Sequence, residues 1–297
     1  MSPENGRLYL GLPMWANADW RGSLYAQHMD MQHSLKEYAA VFSAVEGNTT
    51  FYSGAPKIET IQSWLRSVPD TFKFSFKLPA LLTHDKRLYE IDSELNEFLD
   101  RISPLDKRLG PVMIQLPRNF GPDEINKLEV LLAQWPRHIP CAVEPRDISL
   151  FNKDAVEKYF NRLLITYQVD RVLLDVRPLF STPSNNDLAL LNAQKEKPKR
   201  PLHVISTGVS PIIRFIGHTD MNINDHYFTP WIERIILWIT QGKTPFLFVH
   251  TADNKSAPAL ARRCLQRVEK RFLEYSSELP DGFYMGEFPG EKQGMLF

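Results

Sequence analysis

Short runs of apolar, β-branched and aromatic residues recur along the whole chain, each followed by a longer segment whose apolar residues return at three- and four-residue spacing. That alternation is the pattern of repeated β-α units around a parallel sheet. Eight runs read as strands: 8–15 (LYLGLPMW), 45–52 (VEGNTTFY), 72–79 (FKFSFKLP), 111–117 (PVMIQLP), 141–147 (CAVEPRD), 171–178 (RVLLDVRP), 211–218 (PIIRFIGH) and 245–251 (PFLFVHT). Helical patterns occupy 34–42, 58–68, 91–102, 123–135, 154–167, 229–241 and 257–272. Eight such units predict an α/β fold closed as a parallel eight-stranded (β/α)8 barrel of TIM type, one domain over 1–280 with a C-terminal tail over 281–297. A doubly wound open sheet is the alternative, but no Gly-x-Gly-x-x-Gly follows the first strand.

Because strand side chains alternate faces, each run divides into two sets. Polar residues fall on one parity: Glu46, Asn48, Thr50 and Tyr52; Lys73, Ser75 and Lys77; Gln115; Glu144 and Arg146; Asp175 and Arg177; Arg214 and His218; His250. Phe74, Phe76, Val143, Leu174, Val176, Ile213 and Phe215 take the other. The polar sets are expected to point into the barrel and up to its C-terminal mouth, where this architecture places catalysis. The bland alternative for any one of them is a hydrogen-bonded layer that fills the lumen. For the whole set, burying so many charges without a ligand is costly.

Composition narrows the setting. With 35 Lys+Arg against 35 Asp+Glu the net charge is +0, so the chain lacks the footprint of a protein that binds duplex DNA over much of its surface. Cys141 and Cys264 are the only cysteines and lie in no metal-ligand spacing, which suggests a reducing, cytoplasmic setting. The start has no basic segment followed by an apolar core, and runs such as IILWI are too short to cross a bilayer. The expectation is a chain neither secreted nor membrane-embedded.

Six blocks in order, GLPMWANADWRG, VEGNTTFY, FKFSFKLPALLTHDKRL, LGPVMIQLPRNFGP, AVEPRD and IIRFIGH, resemble the YecE-like family, the domain of unknown function numbered seventy-two. The resemblance covers essentially the whole chain and implies a (β/α)8 barrel without implying a reaction. Residues matching the family's blocks are Trp15, Asn48, Thr50, Tyr52, Lys77, His84, Gln115, Glu144, Arg146, Asp175 and Arg214. The chain departs from the family pattern at Pro13 and Met14, at Asp147 and Phe151, and at His250, so a shared substrate does not follow.

Glu144 and Asp175, ending adjacent predicted strands, are the candidate catalytic acid and base, since two carboxylates in different surroundings can have their pKa values driven apart. Arg146, Arg177, Arg214 and Lys77 would form a cationic rim suited to a carboxylate or phosphate. Trp15, Asn48, Thr50, Tyr52 and Gln115 complete the substrate-binding set, with Trp15, Trp20 and Tyr52 offering rings for stacking. The competing view is that Glu144, Arg146, Asp175 and Arg214 neutralise one another as a structural layer. A paired-acid glycosidase is disfavoured, because its carboxylates commonly stand on strands 4 and 7, here Gln115 and Arg214. The metal-dependent amidohydrolase pattern, a His-x-His on strand 1, is absent. Glu144, Asp175, His218 and His250 could ligate a first-row metal, but a lone histidine at a strand end is more often a hydrogen-bonded core residue, so no metal or cofactor is assigned.

The segment 179–210 is the longest excursion, with a serine-capped helical pattern over 184–194 and a basic, proline-punctuated end, KEKPKRP. It is a candidate lid or specificity element. The chain ends in Gln293, Gly294, Met295, Leu296 and Phe297, resembling the Gln-x-x-Leu-Phe peptide that docks on bacterial DNA sliding clamps. Gln293, Leu296 and Phe297 are the candidate partner-binding residues. Two functions follow: an enzyme acting on an anionic substrate, or a ligand-binding adaptor linked to DNA replication or repair.

Overall fold

Strand β1 (Tyr9–Leu12) pairs on one side with β2 (Ala44–Gly47) and on the other with β8 (Phe246–His250). With β3 (Lys73–Phe76), β4 (Val112–Gln115), β5 (Cys141–Glu144), β6 (Asp170–Asp175) and β7 (Ile212–Ile216) they form one parallel sheet in the order β3-β2-β1-β8-β7-β6-β5-β4. The end strands of that order meet through isolated bridges at Phe74–Leu109 and Lys77–Met113, reinforced by Gly110 N–H to Phe74 O at 2.8 Å. The sheet is therefore a nearly closed barrel, as the eight-fold alternation predicts. The computed structural model describes residues 6–276, 278–280, 283 and 286–288.

Around the sheet run α1 (Ser34–Ala39), α2 (Thr49–Ser53), α3 (Ile58–Ser67), α4 (Asp92–Ile102), α5 (Ile125–Gln134), α6 (Ala155–Thr166), α7 (Leu188–Glu196), α8 (Met221–Thr240) and α9 (Ala257–Leu273). Helix α8 begins well before the expected start at 229, because Asp220 caps it through Asn222 N–H at 2.9 Å and Pro230 is carried inside the helix. Helix α7 is capped by Asp187, not Ser184, with Leu190 N–H at 3.0 Å. At Gly11 a Cβ would stand 2.2 Å from Ala44 O, so β1 and β2 approach as closely as they do only because glycine is there.

Two expectations about strands are overturned. The second strand does not run to 52; it stops at Gly47, and the chain turns at Asn48 into α2. Tertiary partners outweigh the local β preference. The Thr50 hydroxyl donates to Lys77 O at 2.7 Å, and Asn48 Nδ2 donates to Pro13 O at 2.9 Å, tying this corner to β3 and β1. In β6 the parity is the reverse of that expected. Leu174 pairs with Arg214 and Asp175 with Phe215, and residues paired across a parallel ladder share a face, so Leu174 looks into the lumen and Asp175 looks out at the helices. Arg171 faces out with Asp175, donating to Glu157 on α6 at 3.2 Å and to Leu150 O at 3.0 Å.

The lumen is layered. Its lower part is apolar, with Tyr9, Ala44, Met113, Ala142, Val172, Ile212, Phe246 and Phe248 buried together. Above it, at the strands' C-terminal ends, the buried side chains turn polar. A separate small cluster roofs the β6–β7 side: Leu190 and Ala193 of α7 pack on Val176, Leu179 and Ile216, with Leu174 and Ala252 partly buried against them. Past α9, Phe283 and Phe288 are buried, Phe283 against Phe272 at 5.4 Å and Phe288 beside Phe42 at 6.4 Å. Gln293, Leu296 and Phe297 lie outside the described residues. Among the described residues no helix is long and apolar enough to cross a membrane.

Candidate functional site

Successive strands deliver Glu46 (β2), Lys77 (just past β3), Gln115 (β4), Glu144 (β5), Arg214 (β7) and His250 (β8) to one level of the lumen, and Arg146 follows β5. They form a closed circuit. Arg214 donates Nε and Nη2 to the two oxygens of Glu46, each at 2.7 Å, and Nη1 to Glu144 Oε2 at 2.8 Å. Glu144 Oε1 accepts from Arg146 Nε at 2.7 Å; Arg146 Nη2 donates to Gln115 Oε1 at 2.8 Å. Lys77 Nζ donates to the same Gln115 oxygen at 3.0 Å and returns to Glu46 Oε1 at 3.6 Å. His250 Nε2 joins at Glu46 Oε2, 3.2 Å away.

Burial makes the electrostatics strong in both directions. Desolvation alone would raise Glu46, but Arg214, His250 and Lys77 together hold it well below the usual carboxylate range. Glu144 is likewise pulled down, to about 2, by Arg146, Arg214 and Lys77 against the effect of burial. Lys77 moves the other way: burial first, then Arg214, lower it to about 7, and the attraction of Glu46 and Glu144 only partly offsets them. Burial brings His250 down to about 4, so its imidazole is neutral at pH 7.

The circuit is not charge-balanced. Glu46 and Glu144 face Lys77, Arg146 and Arg214, and a further cation arrives from the excursion over the mouth. Lys197, the residue after α7, has its pKa lowered by burial and then by Arg214, and it also senses Glu46, Arg146 and Glu144. None of the ion pairs among the described residues includes it. Arg200 Nε donates to Arg146 O at 2.6 Å and so ties the same segment to the end of β5. Donors are left over: Arg146 uses Nε and Nη2 but not Nη1, and a guanidinium has five N–H bonds.

Of the residues picked from the sequence, Lys77, Gln115, Glu144, Arg146 and Arg214 converge here. Asp175 and Arg177 do not. Asp175 is buried on the helix side, accepting from Trp231 Nε1 at 2.8 Å and from Arg177 Nε at 2.9 Å, and Arg177 stacks over Tyr227. Trp15 packs edge-on to Trp64 at 5.3 Å and Phe74 at 6.3 Å, in the layer outside the sheet. Asn48 and Thr50 serve the corner already described, and Tyr52 is 85% exposed. His84 sits on a π-helical turn over Leu81–Asp85, edge-on to Phe51 at 5.1 Å, and burial followed by Arg146 lowers its pKa. His218 links β7 to the excursion through Thr182 Oγ1 at 2.9 Å. Among the described residues no three His, Cys, Asp or Glu side chains are grouped to hold a metal ion.

Three participants were not among the candidate site residues: Glu46, Lys197 and His250, the last weighed only as a metal ligand. Glu46 was on the correct parity, but nothing local distinguishes the carboxylate that two cations share. Lys197 stands in a basic loop whose only signal was its run of lysines.

Comparison with known proteins agrees with this architecture. The family described as "Protein of unknown function DUF72" matches residues 9–282. The chain is 38% identical over 267 residues to the UPF0759 protein YecE of Escherichia coli K12, covering 90% of this chain and 94% of that one. Among solved structures it is similar to a DUF72 family protein of Thermotoga maritima, with a TM-score of 0.68 and 22% identity over 89% of this chain and 99% of that one. A DUF72 family protein of Enterococcus faecalis gives a TM-score of 0.65 and 18% identity over 90% and 99%.

Proposed function

The chain belongs to the DUF72 family, and from that premise we propose that it binds a small anionic molecule, carrying a carboxylate or phosphate, at the C-terminal mouth of its barrel. The surplus of cationic side chains over carboxylates carries this reading: Lys77 and Arg214 are buried, Arg146 and Lys197 are half-buried beside them, and the four share Glu46 and Glu144. Positive charge in excess of Glu46 and Glu144 is costly there, which is why burial and then Arg214 pull Lys77 down to about 7, and a bound anion would relieve it. Arg214 is committed on three sides and acts as the fixed hub. Arg146, Lys77 and Lys197 retain donors for the ligand. Glu144, kept ionised by its two arginines, serves as a fixed negative charge or base; the group poised to exchange a proton near pH 7 is Lys77.

The test is thermal denaturation with inorganic phosphate at low ionic strength. Phosphate at a hundredfold excess over Kd is expected to stabilise the fold by about 2.7 kcal/mol. Lys197→Met and Arg146→Met should weaken that response. A wild-type melting temperature indifferent to phosphate and to sulfate would dismiss the reading. The adaptor reading rests on the ending Gln293–Phe297 alone, and a titration of a bacterial sliding clamp with the tail peptide, compared with its Leu296→Ala form, decides it.

A further inference from the structure

Lys77 is an unusual lysine for a protein interior. Its ammonium has no carboxylate at hydrogen-bond distance: its ion pair with Glu46 Oε1 spans 3.6 Å, and that oxygen already accepts from Arg214. Its hydrogen-bond partner is a neutral amide oxygen, Gln115 Oε1 at 3.0 Å, which it shares with Arg146. The charged or titratable groups that act on it are Glu46 from β2, Glu144 and Arg146 from β5 and Arg214 from β7. Lys77 in turn acts on His84, and its side chain is 8% exposed at the top of the lumen.

We propose that Lys77 captures the carbonyl carbon of a small anionic aldehyde or ketone as an iminium, with Arg146 and Lys197 holding that molecule's carboxylate or phosphate. The inference rests on the anion-binding reading of the mouth and adds the covalent step. The unprotonated Nζ lends its lone pair to the carbonyl carbon, and the carbonyl π pair moves to oxygen, which takes a proton. Nitrogen passes one of its two protons to that oxygen, and the carbon–oxygen bond then breaks with loss of water, leaving N=C with a positive charge on nitrogen. One proton is consumed overall and no oxidant or reductant is required.

Three features of the mouth favour that sequence. Burial first, and then the neighbouring Arg214 and Arg146, disfavour the ammonium form of Lys77, the way lysine amines are activated in desolvated sites next to other cations. With its pKa near 7 its unprotonated fraction at neutral pH is about a thousandfold that of an exposed lysine. The iminium carries a fixed charge facing Glu46 and Glu144, which are held ionised, and Gln115 Oε1 orients the nitrogen.

The experiment is reductive trapping of the full-length protein with sodium cyanoborohydride and either glyoxylate or glycolaldehyde phosphate, with neutral glycolaldehyde as control. Adducts are read by intact mass and peptide mapping. The expected result is one dominant adduct on Lys77, formed at least roughly tenfold faster than on any other lysine with an anionic probe, and not with the neutral one. The two probes separate carboxylate from phosphate. Lys77→Arg should lose that adduct and keep the slow background on other lysines. Labelling scattered over exposed lysines, or Lys77 labelled equally by glycolaldehyde, overturns the proposal. Phosphate stabilisation of the wild type without an adduct on Lys77 sinks the capture alone; absence of both sinks the anion reading with it.

Discussion

Arg214 on β7 grips Glu46 on β2 across the lumen through two parallel hydrogen bonds of 2.7 Å, although two strands, β1 and β8, separate them in the sheet. The pair is a chord across the barrel. A guanidinium suits it, because its planar fork meets both carboxylate oxygens at once and still reaches Glu144 with its third nitrogen.

Cutting that chord should be expensive. Arg214→Met leaves Glu46 and Glu144 buried without their principal counter-charge, and about 3–5 kcal/mol of stability is expected to be lost in urea denaturation. Adding Glu46→Gln to Arg214→Met should recover part of it. A double variant no more stable than the single one would show that the two residues are not coupled.

Acid should unfold the protein through the same carboxylates. Glu144 titrates at about 2 in the folded chain and at the ordinary 4.5 when unfolded, and Glu46 is also depressed. Between those values the unfolded chain binds more protons, so this stability is complete above about pH 4.5 and is lost as pH falls towards 2. Melting temperatures taken down this window should fall, and Glu144→Gln should flatten the fall.

Lys77 has the opposite dependence on charge, and ligand binding should report it. An anion favours its ammonium form, so the complex holds Lys77 protonated to higher pH than the free protein, where it titrates at about 7. Phosphate affinity is then expected to weaken as pH rises above 7. Calorimetric titrations at about pH 6 and pH 8, corrected for the ionisation of phosphate itself with Lys77→Met as reference, measure it. Equal pH profiles for wild type and variant would remove Lys77 from the binding site.

Asp175 offers a contrast with Glu144. Because it supports α8 through Trp231 and holds Arg177, Asp175→Asn should cost about 1.5–3 kcal/mol of stability yet leave the phosphate response of the folded protein within twofold. Glu144→Gln should instead alter that response. Thermal melts and titrations on the same two variants separate the roles, and loss of phosphate binding in Asp175→Asn would contradict its placement outside the lumen.

Repetition alone determined the barrel. Eight strand–helix alternations admit few closures, and within β2, β5 and β7 and just past β3 the alternation of polar and apolar residues correctly set Glu46, Glu144, Arg214 and Lys77 on the lumen face. It could not do so for β6. Alternation says which residues share a face, not which face is inside, and Arg171 and Asp175 find Glu157, Asn161 and Trp231 on helices that the sequence does not orient. Local preference likewise carried the second strand past Gly47, where the chain instead bends so that Thr50 can satisfy Lys77 O. The composition of the mouth was decided later still. Lys197 stands in a basic loop and Glu46 in an ordinary strand; only closure of the barrel and packing of α7 across it bring their charges together, because electrostatic coupling depends on distance and burial in space, which neither residue's neighbours in sequence encode.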